Sequence, residues 1–173
     1  MIEKKPLDDS NFGLFANKKY QIGDMILTEA MWYADLTEDW ITLSVDEIQS
    51  LDHKKREAFL TYSFDVAFGQ TKGTFSTMAL MNPANFINHS CDPNTEFDGH
   101  DNILARKEIQ ENEQLTIDYA TFTVNFDQTF VCGCGSSYCR KQIKKDDWKG
   151  ISKPGGYNLA KFIRITLNHP SHS

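Results

Sequence analysis

Residues 85–94 read NFINHSCDPN, and this short segment concentrates polar chemistry in the middle of the chain. It holds three asparagine amides, an imidazole, a thiol and a proline turn. His89 and Cys91 could form a nucleophilic pair, but we expect their spacing to place the two side chains on opposite sides of an extended strand. Such an arrangement is poorly suited to proton transfer. A structural role for His89 is therefore the simpler interpretation.

A second dense segment follows at 132–139, where the run CGCGSSYC holds three cysteines. Its glycines allow the backbone to turn tightly, and zinc takes four tetrahedral ligands, for which thiolates are the usual structural donors. The fourth cysteine, Cys91, lies 41 residues before Cys132. A site using all four would fix the C-terminal segment onto the middle of the domain. The alternative is a buried apolar Cys91, with a histidine or water as the fourth ligand.

The composition is that of one globular domain. The chain has 173 residues, of which 40% are hydrophobic and 24% charged, close to globular averages. No apolar run approaches the roughly 18 residues that span a bilayer, and the start, MIEKKPLDD, lacks the apolar core of a secretory signal. We therefore expect an intracellular protein, in cytoplasm or nucleus, where reducing conditions favour metal-bound thiols over disulfides.

The net charge of −6 indicates which kinds of molecule the protein can bind. Binding to phosphate backbones requires surplus lysine and arginine, so a general nucleic-acid binder is disfavoured. The chain also has no glycine-rich phosphate loop and no dinucleotide fingerprint. An acidic surface favours binding of a basic partner such as a lysine-rich peptide. The alternative is that the mild negative charge only keeps the protein soluble.

The rest of the chain predicts many short strands and few helices. Short apolar runs predict strands at residues 12–16, 25–32, 103–106 and 114–119, the first two around a turn at 21–24. A capping-box pattern from Ser44 to Glu47 predicts a helix, on which the basic cluster 53–56 indicates a solvated face. Asn158 predicts the start of a last helix, with an apolar stripe of Leu159, Phe162, Ile163 and Leu167. The fold class is therefore a β-rich α+β domain.

Four motifs occur in an order that resembles a known family. The opening pair is FGLFA at 12–16 with IGD at 22–24, and the central motif is 86–94. A strand at 113–119 then ends in Asp-Tyr, and the cysteine run continues to Arg140. Together, from about residue 11 to residue 140, they resemble the SET-domain protein-lysine methyltransferases with a post-SET zinc-binding segment.

The resemblance implies an architecture. It is a SET-domain fold of several short β-sheets with few helices and a C-terminal zinc loop, in which the central segment threads through a preceding loop as a pseudoknot. The implied organisation is a SET domain at 1–122, a post-SET segment at 123–145 and a helical C-terminal extension at 146–173. The implied ligands of a structural zinc are Cys91, Cys132, Cys134 and Cys139.

The resemblance also implies an activity, the S-adenosylmethionine-dependent methylation of a lysine side-chain amine in a histone-like or other basic protein. Tyr119 corresponds to the active-site tyrosine, which would orient the amine and the methyl group rather than act as the general base. Tyr62, Ile117 and Phe122 are candidate walls of the substrate channel, with simple core packing as the alternative for Tyr62. The implied cofactor-binding residues are Asn11, Phe12, Gly13, Asn85, Phe86, Asn88 and His89.

Three positions depart from the family pattern. Asn11 replaces a glycine, and asparagine tolerates the left-handed backbone that such a turn could require. Asn85 stands where an arginine is common. Ile117 replaces a Phe or Tyr that helps to set the number of methyl groups, which favours multiple methylation. Two other functions stay open: a catalytically silent SET-like domain that binds lysine-rich tails or partner proteins, and a zinc-bearing interaction module without cofactor.

Overall fold

The computed structural model describes residues 2–9, 11–33, 39–76, 83–151 and 158–168. Within these ranges the chain forms short strands in small sheets, joined by five helices. The strands are β1 (Ile2–Pro6), β2 (Phe12–Ala16), β3 (Met25–Leu27), β4 (Trp40–Ser44), β5 (Phe64–Ala67), β6 (Gln70–Thr74), β7 (Asn88–His89), β8 (Thr95–Phe97), β9 (Ile103–Ala105) and β10 (Thr116–Ile117). The helices are α1 (Glu29–Tyr33), α2 (Val45–Ser50), α3 (His53–Thr61), α4 (Trp148–Ile151) and α5 (Lys161–Asn168). The predicted β-rich architecture with few helices is confirmed.

The sheets are small and mostly antiparallel. β1 and β2 form a hairpin, β9 lies between β3 and β8, and β6 lies between β4 and β5. β7 and β10 instead pair in parallel, with Asn88 opposite Thr116 and His89 opposite Ile117. This pair sets the central motif beside the strand that leads to Tyr119. The pseudoknot that the resemblance implies stays a prediction.

The core joins the sheets to the two motif regions. Leu14 of β2, Ile103 of β9 and Ile117 of β10 are fully buried in the main apolar cluster. A smaller cluster groups Cys91, Cys132, Ala120 and Ile143. Side chains from the cysteine segment therefore pack directly behind the turn that begins at Tyr119.

Local capping defines the two helices before the central motif. The Ser44 hydroxyl accepts a hydrogen bond from the Glu47 backbone N–H, and the Glu47 carboxylate accepts one from the Ser44 N–H, so the predicted capping box is confirmed. The helix that it starts ends at Ser50, because Leu51 is extended. The Asp52 carboxylate then caps α3 by accepting from the Lys55 N–H at 3.0 Å.

Four predicted elements differ from the observed ones. The single helix predicted from Ser44 through the basic cluster 53–56 is divided into α2 and α3, because Leu51 is extended and Asp52 caps a new helix. The strand predicted at 114–119 is limited to Thr116–Ile117, because Tyr119 starts a 3-10 turn capped by Asp118.

The strand predicted at 25–32 stops at Leu27, because Asn102 accepts from the Glu29 N–H at 2.8 Å and α1 starts there. The last helix starts at Lys161, whose N–H donates to the Asp101 carboxylate, so Asn158 is not its cap. Its apolar stripe is narrower than predicted, since Leu159 precedes the helix and Leu167 is 48% exposed.

None of the helices in the described ranges is long and apolar enough to cross a membrane. In the described part of residues 146–173, the helices are α4 and α5. The domain boundaries at residues 122 and 145 remain predictions.

Candidate functional site

An open groove of about 1450 Å³ runs past the opening and central motifs. Its walls come from residues within 7–12, 53–65, 85–89 and 123–134, and Tyr119 also borders it. Six of the seven residues predicted to bind cofactor lie on this groove, namely Asn11, Phe12, Asn85, Phe86, Asn88 and His89. The fold therefore brings segments more than seventy residues apart in sequence to one concave surface.

The opening and central motifs are joined by a direct hydrogen bond. The Asn88 side-chain amide donates to the Phe12 carbonyl at 2.9 Å, across 76 residues of sequence. The rings of Phe12 and Phe86 pack edge to face with centroids 6.0 Å apart. This wall presents amide and carbonyl groups beside two aromatic rings, a combination suited to a ligand with both polar and flat apolar parts.

Asn11 and Gly13 are positioned in different ways, and their cofactor-binding roles stay predictions. The residues with left-handed backbone do not include Asn11. Its turn is held instead by Asp8, whose carboxylate accepts from the Asn11 N–H and side-chain amide. Gly13 is buried away from the groove, and a Cβ there would lie 2.7 Å from Nε2 of Gln114. Gly13 thus permits close packing of Gln114, which itself borders the groove.

Tyr119 lies at the junction of the groove and the cysteine cluster. Its hydroxyl donates to the Ile87 carbonyl at 2.9 Å, and its backbone N–H donates to Nδ1 of His89 at 3.1 Å. Burial raises the pKa of the Tyr119 hydroxyl above its usual value. The phenol therefore keeps its proton at neutral pH, and the remaining lone pairs of its oxygen can accept a hydrogen bond.

His89 links Tyr119 to the cysteines. Because Nδ1 accepts from the Tyr119 N–H, the ring proton lies on Nε2, which is 3.3 Å from Sγ of Cys91. The prediction that His89 and Cys91 point to opposite sides was wrong, since residues two apart on extended backbone share a side. Burial, with the nearby Arg140 charge, lowers the pKa of His89 to about 4. His89 is therefore a neutral hydrogen-bonding group.

The four cysteines converge as predicted. The sulfur atoms of Cys91, Cys132, Cys134 and Cys139 all lie within 4.8 Å of one another. The pair Cys91 and Cys132 is 4.0 Å apart. A tetrahedral zinc with Zn–S bonds of about 2.3 Å requires sulfur separations of about 3.8 Å, so the cluster fits this metal closely. The alternative in which Cys91 packs apart from the other three does not match this geometry.

Arg140, directly after the last cysteine, connects this cluster to the Tyr119 turn. Its guanidinium donates to the Asp118 carboxylate, and its backbone N–H faces Sγ of Cys91 at 3.4 Å. The Asp118 carboxylate also accepts from the Ala120 N–H, which caps the 3-10 turn Tyr119–Thr121. Burial raises the pKa of Asp118, and the Arg140 charge opposes this shift.

The predicted channel residues divide into two groups. Tyr62 ends α3 and borders the groove, with its ring 6.4 Å from that of Phe86. Ile117 and Phe122 do not border the groove; both pack in the main core. The Phe122 ring nevertheless contacts the Tyr119 ring, with centroids 5.4 Å apart. A role in the channel for Ile117 and Phe122 stays a prediction.

The sequence interpretation missed two parts of the groove. Phe130 packs against the rings of both Tyr119 and His89, at 6.0 and 5.9 Å. The sequence signal that could have identified Phe130 as a groove residue is its position two residues before the cysteine run. His53, Lys54 and Arg56 of α3 also border the groove, so the basic cluster that we interpreted as a solvated face forms part of this wall.

Comparison with known proteins agrees with this geometry. A family model described as the SET domain matches residues 11–120, which covers all the predicted cofactor residues and Tyr119. The chain belongs to the SET domain family. The matched range ends before Cys132, so the cysteine run lies beyond it.

Named relatives of this SET domain are histone-lysine methyltransferases. The chain is 29% identical over 136 residues to histone-lysine N-methyltransferase ATX2 of Arabidopsis thaliana, an alignment covering 75% of this chain and 12% of that protein. It is 33% identical over 129 residues to histone-lysine N-methyltransferase SET5 of Eremothecium gossypii, covering 68% and 24%. Against histone-lysine N-methyltransferase trithorax of Drosophila melanogaster, identity is 41% over 69 residues, covering 36% and 2%. The chain thus spans less than a quarter of each of these proteins.

Proposed function

We propose that this SET domain is an S-adenosylmethionine-dependent protein-lysine N-methyltransferase with one structural zinc ion. The observation that carries the proposal is the position of Tyr119. Its side chain borders the same groove as the amide-rich wall of Asn11, Asn85 and Asn88, and it packs against the four-thiol cluster. Relatives named as histone-lysine methyltransferases support the reaction class.

The groove wall of the opening and central motifs would hold the cofactor. When bound, S-adenosylmethionine supplies a methyl group on a sulfonium sulfur. Asn88 and the Phe12 backbone are already joined, so their polar groups are preorganised. The rings of Phe12 and Phe86 offer apolar faces beside them. The neutral amides of Asn11 and Asn85 add directed hydrogen bonds at low desolvation cost.

Tyr119 and its aromatic neighbours would receive the substrate lysine. A lysine amine has a pKa of about 10.4 in water, and an apolar channel that excludes water favours its neutral, nucleophilic form. Phe130 and Tyr62 contribute rings to this part of the groove. Because the Tyr119 proton is donated to Ile87, the oxygen would accept from the amine and orient it rather than remove its proton.

The zinc would hold the segment that carries Phe130. Cys132, Cys134 and Cys139 come from one loop, and Cys91 comes from the central motif. Four thiolates around one ion would therefore fasten this loop across the groove. We assign residues 1–122 to the SET domain, 123–145 to the post-SET segment and 146–173 to a C-terminal extension.

The substrate we propose is a protein or peptide with an accessible lysine in a basic context, as in histones, within the cell nucleus or cytoplasm. The net charge of −6 favours encounter with such a partner. No direct contact with nucleic acid or membrane is part of the proposal.

The test uses labelled S-adenosylmethionine with a panel of histones and other basic proteins, followed by mass spectrometry of the modified lysines. Calorimetric titration with S-adenosylhomocysteine is measured first. Binding followed by methyl transfer supports the proposal. Binding without transfer to any protein of the panel indicates the catalytically silent alternative, and the absence of binding contradicts both.

A further inference from the structure

A lysine side chain occupies the aromatic corner of the groove wall. Nζ of Lys4 lies 3.6 Å from the centroid of the Phe86 ring and 4.1 Å from that of Phe12. The two rings meet at 70°, so the ammonium contacts both of them. Lys4 precedes the range that the family model matches and is not itself a groove-lining residue. Its charge therefore lies at the rim of the proposed cofactor site.

The strand register explains this position. Lys4 pairs with Leu14 in the β1–β2 hairpin, which sets it diagonally across from Phe12 on the same face. Its neighbour Lys5 pairs with Gly13 and points to the other face, where its ammonium contacts Asn112 and Glu3. Adjacent lysines of one strand thus have different surroundings, and Lys5 provides a matched control.

Lys4 and Lys5 differ in their electrostatic surroundings. In the described ranges, Lys4 makes no ion pair with an acidic side chain, whereas Lys5 is 3.3 Å from Glu3. The Asn85 and Asn88 amides and the two rings carry no charge. The acidic group at this end of the groove is Asp8, whose carboxylate accepts hydrogen bonds from Asn11. Interaction with two ring faces restricts the ammonium and lowers the entropy cost of using it in binding.

We propose that Lys4 binds the carboxylate at the amino-acid end of the cofactor, with the Phe12–Phe86 corner holding its ammonium in place. The inference rests on the proposed function, because it assigns a residue to that function's cofactor. S-adenosylmethionine carries one carboxylate, and its adenosine part carries no anion. Lys4 is then a cofactor-positioning residue that recognises the amino-acid end.

Two ligands separate this role from a structural one. S-adenosylhomocysteine has the carboxylate, and 5′-methylthioadenosine keeps the adenosine and sulfur without the amino-acid end. Calorimetric affinities are measured for both ligands with the wild type, Lys4→Gln, Lys4→Arg and Lys5→Gln. We expect Lys4→Gln to weaken S-adenosylhomocysteine binding about 5-fold to 10-fold, as for a partly exposed charge-assisted bond. Binding of 5′-methylthioadenosine should be unchanged.

The controls define the remaining outcomes. Lys4→Arg should keep the affinity, because arginine retains the charge and the ring contacts, and Lys5→Gln should match the wild type. Added salt should weaken S-adenosylhomocysteine binding in the wild type more than in Lys4→Gln. Equal weakening of both ligands, or unchanged S-adenosylhomocysteine affinity in Lys4→Gln, overturns the assignment. A wild type that binds neither ligand contradicts the proposed function itself, and the Lys4 assignment with it.

Discussion

The Arg140 guanidinium donates a hydrogen bond to the Asp118 carboxylate, and this pair joins the cysteine cluster to the turn that carries Tyr119. The Asp118 side chain is only 2% exposed. Because the Arg140 backbone N–H also faces Cys91 Sγ, one residue contacts both a proposed zinc ligand and the support of Tyr119. A substitution that disrupts the Arg140–Asp118 pair should therefore also affect the cysteine cluster, and a change in the cluster should affect the Tyr119 turn.

Arg140→Gln tests this connection. The variant leaves the Asp118 carboxylate buried without its cationic partner, a loss that costs about 3–5 kcal/mol for fully buried pairs. Arg140 is itself 25% exposed, so we expect a loss of about 2–3 kcal/mol in the free energy of unfolding, measured in urea. Metal release to a chelator should also be faster. Lys144→Gln, an exposed change in the same segment, should alter neither quantity; a stable Arg140→Gln with unchanged metal release would contradict the coupling.

Removing the metal should destabilise the groove wall formed by the cysteine segment and leave the β-sheets unchanged. Cys139→Ser removes a ligand that belongs to the local loop, and metal binding contributes directly to the folding of such loops. Hydrogen exchange should rise in residues 126–139, including Phe130, while β2 and β9 keep their protection. Elemental analysis should give one zinc per wild-type chain and less in the variant. A wild-type chain without zinc, or protection that falls equally in all strands, would contradict this prediction.

Local signals explain what the sequence could predict of this fold. Gly23, with a φ of +87°, forms the predicted turn before β3, and the Ser44 capping box starts α2 as predicted. The three cysteines of the loop are close in sequence, and their chemistry requires a fourth ligand. For the turn, the cap and the three loop cysteines, neighbouring residues determine the outcome, so the pattern and the structure agree.

Contacts between distant residues explain what the sequence could not predict. Asn102 ends the strand predicted at 25–32 from more than seventy residues away, and Asp101 starts α5 in the same manner. The residues around Ile117 have an ordinary strand pattern. That pattern does not indicate whether the Ile117 side chain faces a channel or the core. The groove itself depends on contacts such as Asn88 with Phe12, and only the family resemblance indicated that these motifs would meet.

Asn88→Ala should separate the opening motif from the central motif. The change removes the only side-chain amide bond to the Phe12 carbonyl in the described part of the chain. We expect S-adenosylhomocysteine binding to weaken by about 1–3 kcal/mol, the usual cost of a polar contact left unmade. The measurement is calorimetric titration, with Asn168→Ala on the exposed end of α5 as the control. An unchanged affinity would remove Asn88 from the binding wall.

Asp65 should make stability depend on pH in a defined direction. Its buried carboxylate accepts from the Val124 and Asn125 N–H groups and the Thr71 hydroxyl, and burial raises its pKa above the usual value. With a raised folded-state pKa, its titration favours the folded state at low pH, and this contribution is lost as the pH rises through the folded pKa.

Asp65→Asn removes that titration and weakens the bonds to the 124–125 backbone. The stability difference between the wild type and this variant should therefore decrease as the pH rises from about 4 to about 7. Urea unfolding at several pH values measures the difference. Asn168→Ala, a change without a titratable group on the exposed end of α5, should show no such trend. A difference that grows with pH would mean that the hydrogen bonds stabilise the charged form more than burial opposes it.

Tyr119→Phe tests the role of a single oxygen atom. The variant keeps the ring contacts with His89, Phe122 and Phe130 and removes only the hydroxyl bonded to Ile87. We expect a stability loss of about 1 kcal/mol from that hydrogen bond and little change in S-adenosylhomocysteine affinity. The methyl-transfer rate should fall by about 10²–10³, the scale of one well-placed transition-state contact. Tyr138→Phe, at an 80% exposed position on the cysteine loop, should keep the wild-type rate. If Tyr119→Phe transfers methyl groups as fast as the wild type, the hydroxyl does not orient the amine, and the catalytic assignment of Tyr119 is wrong.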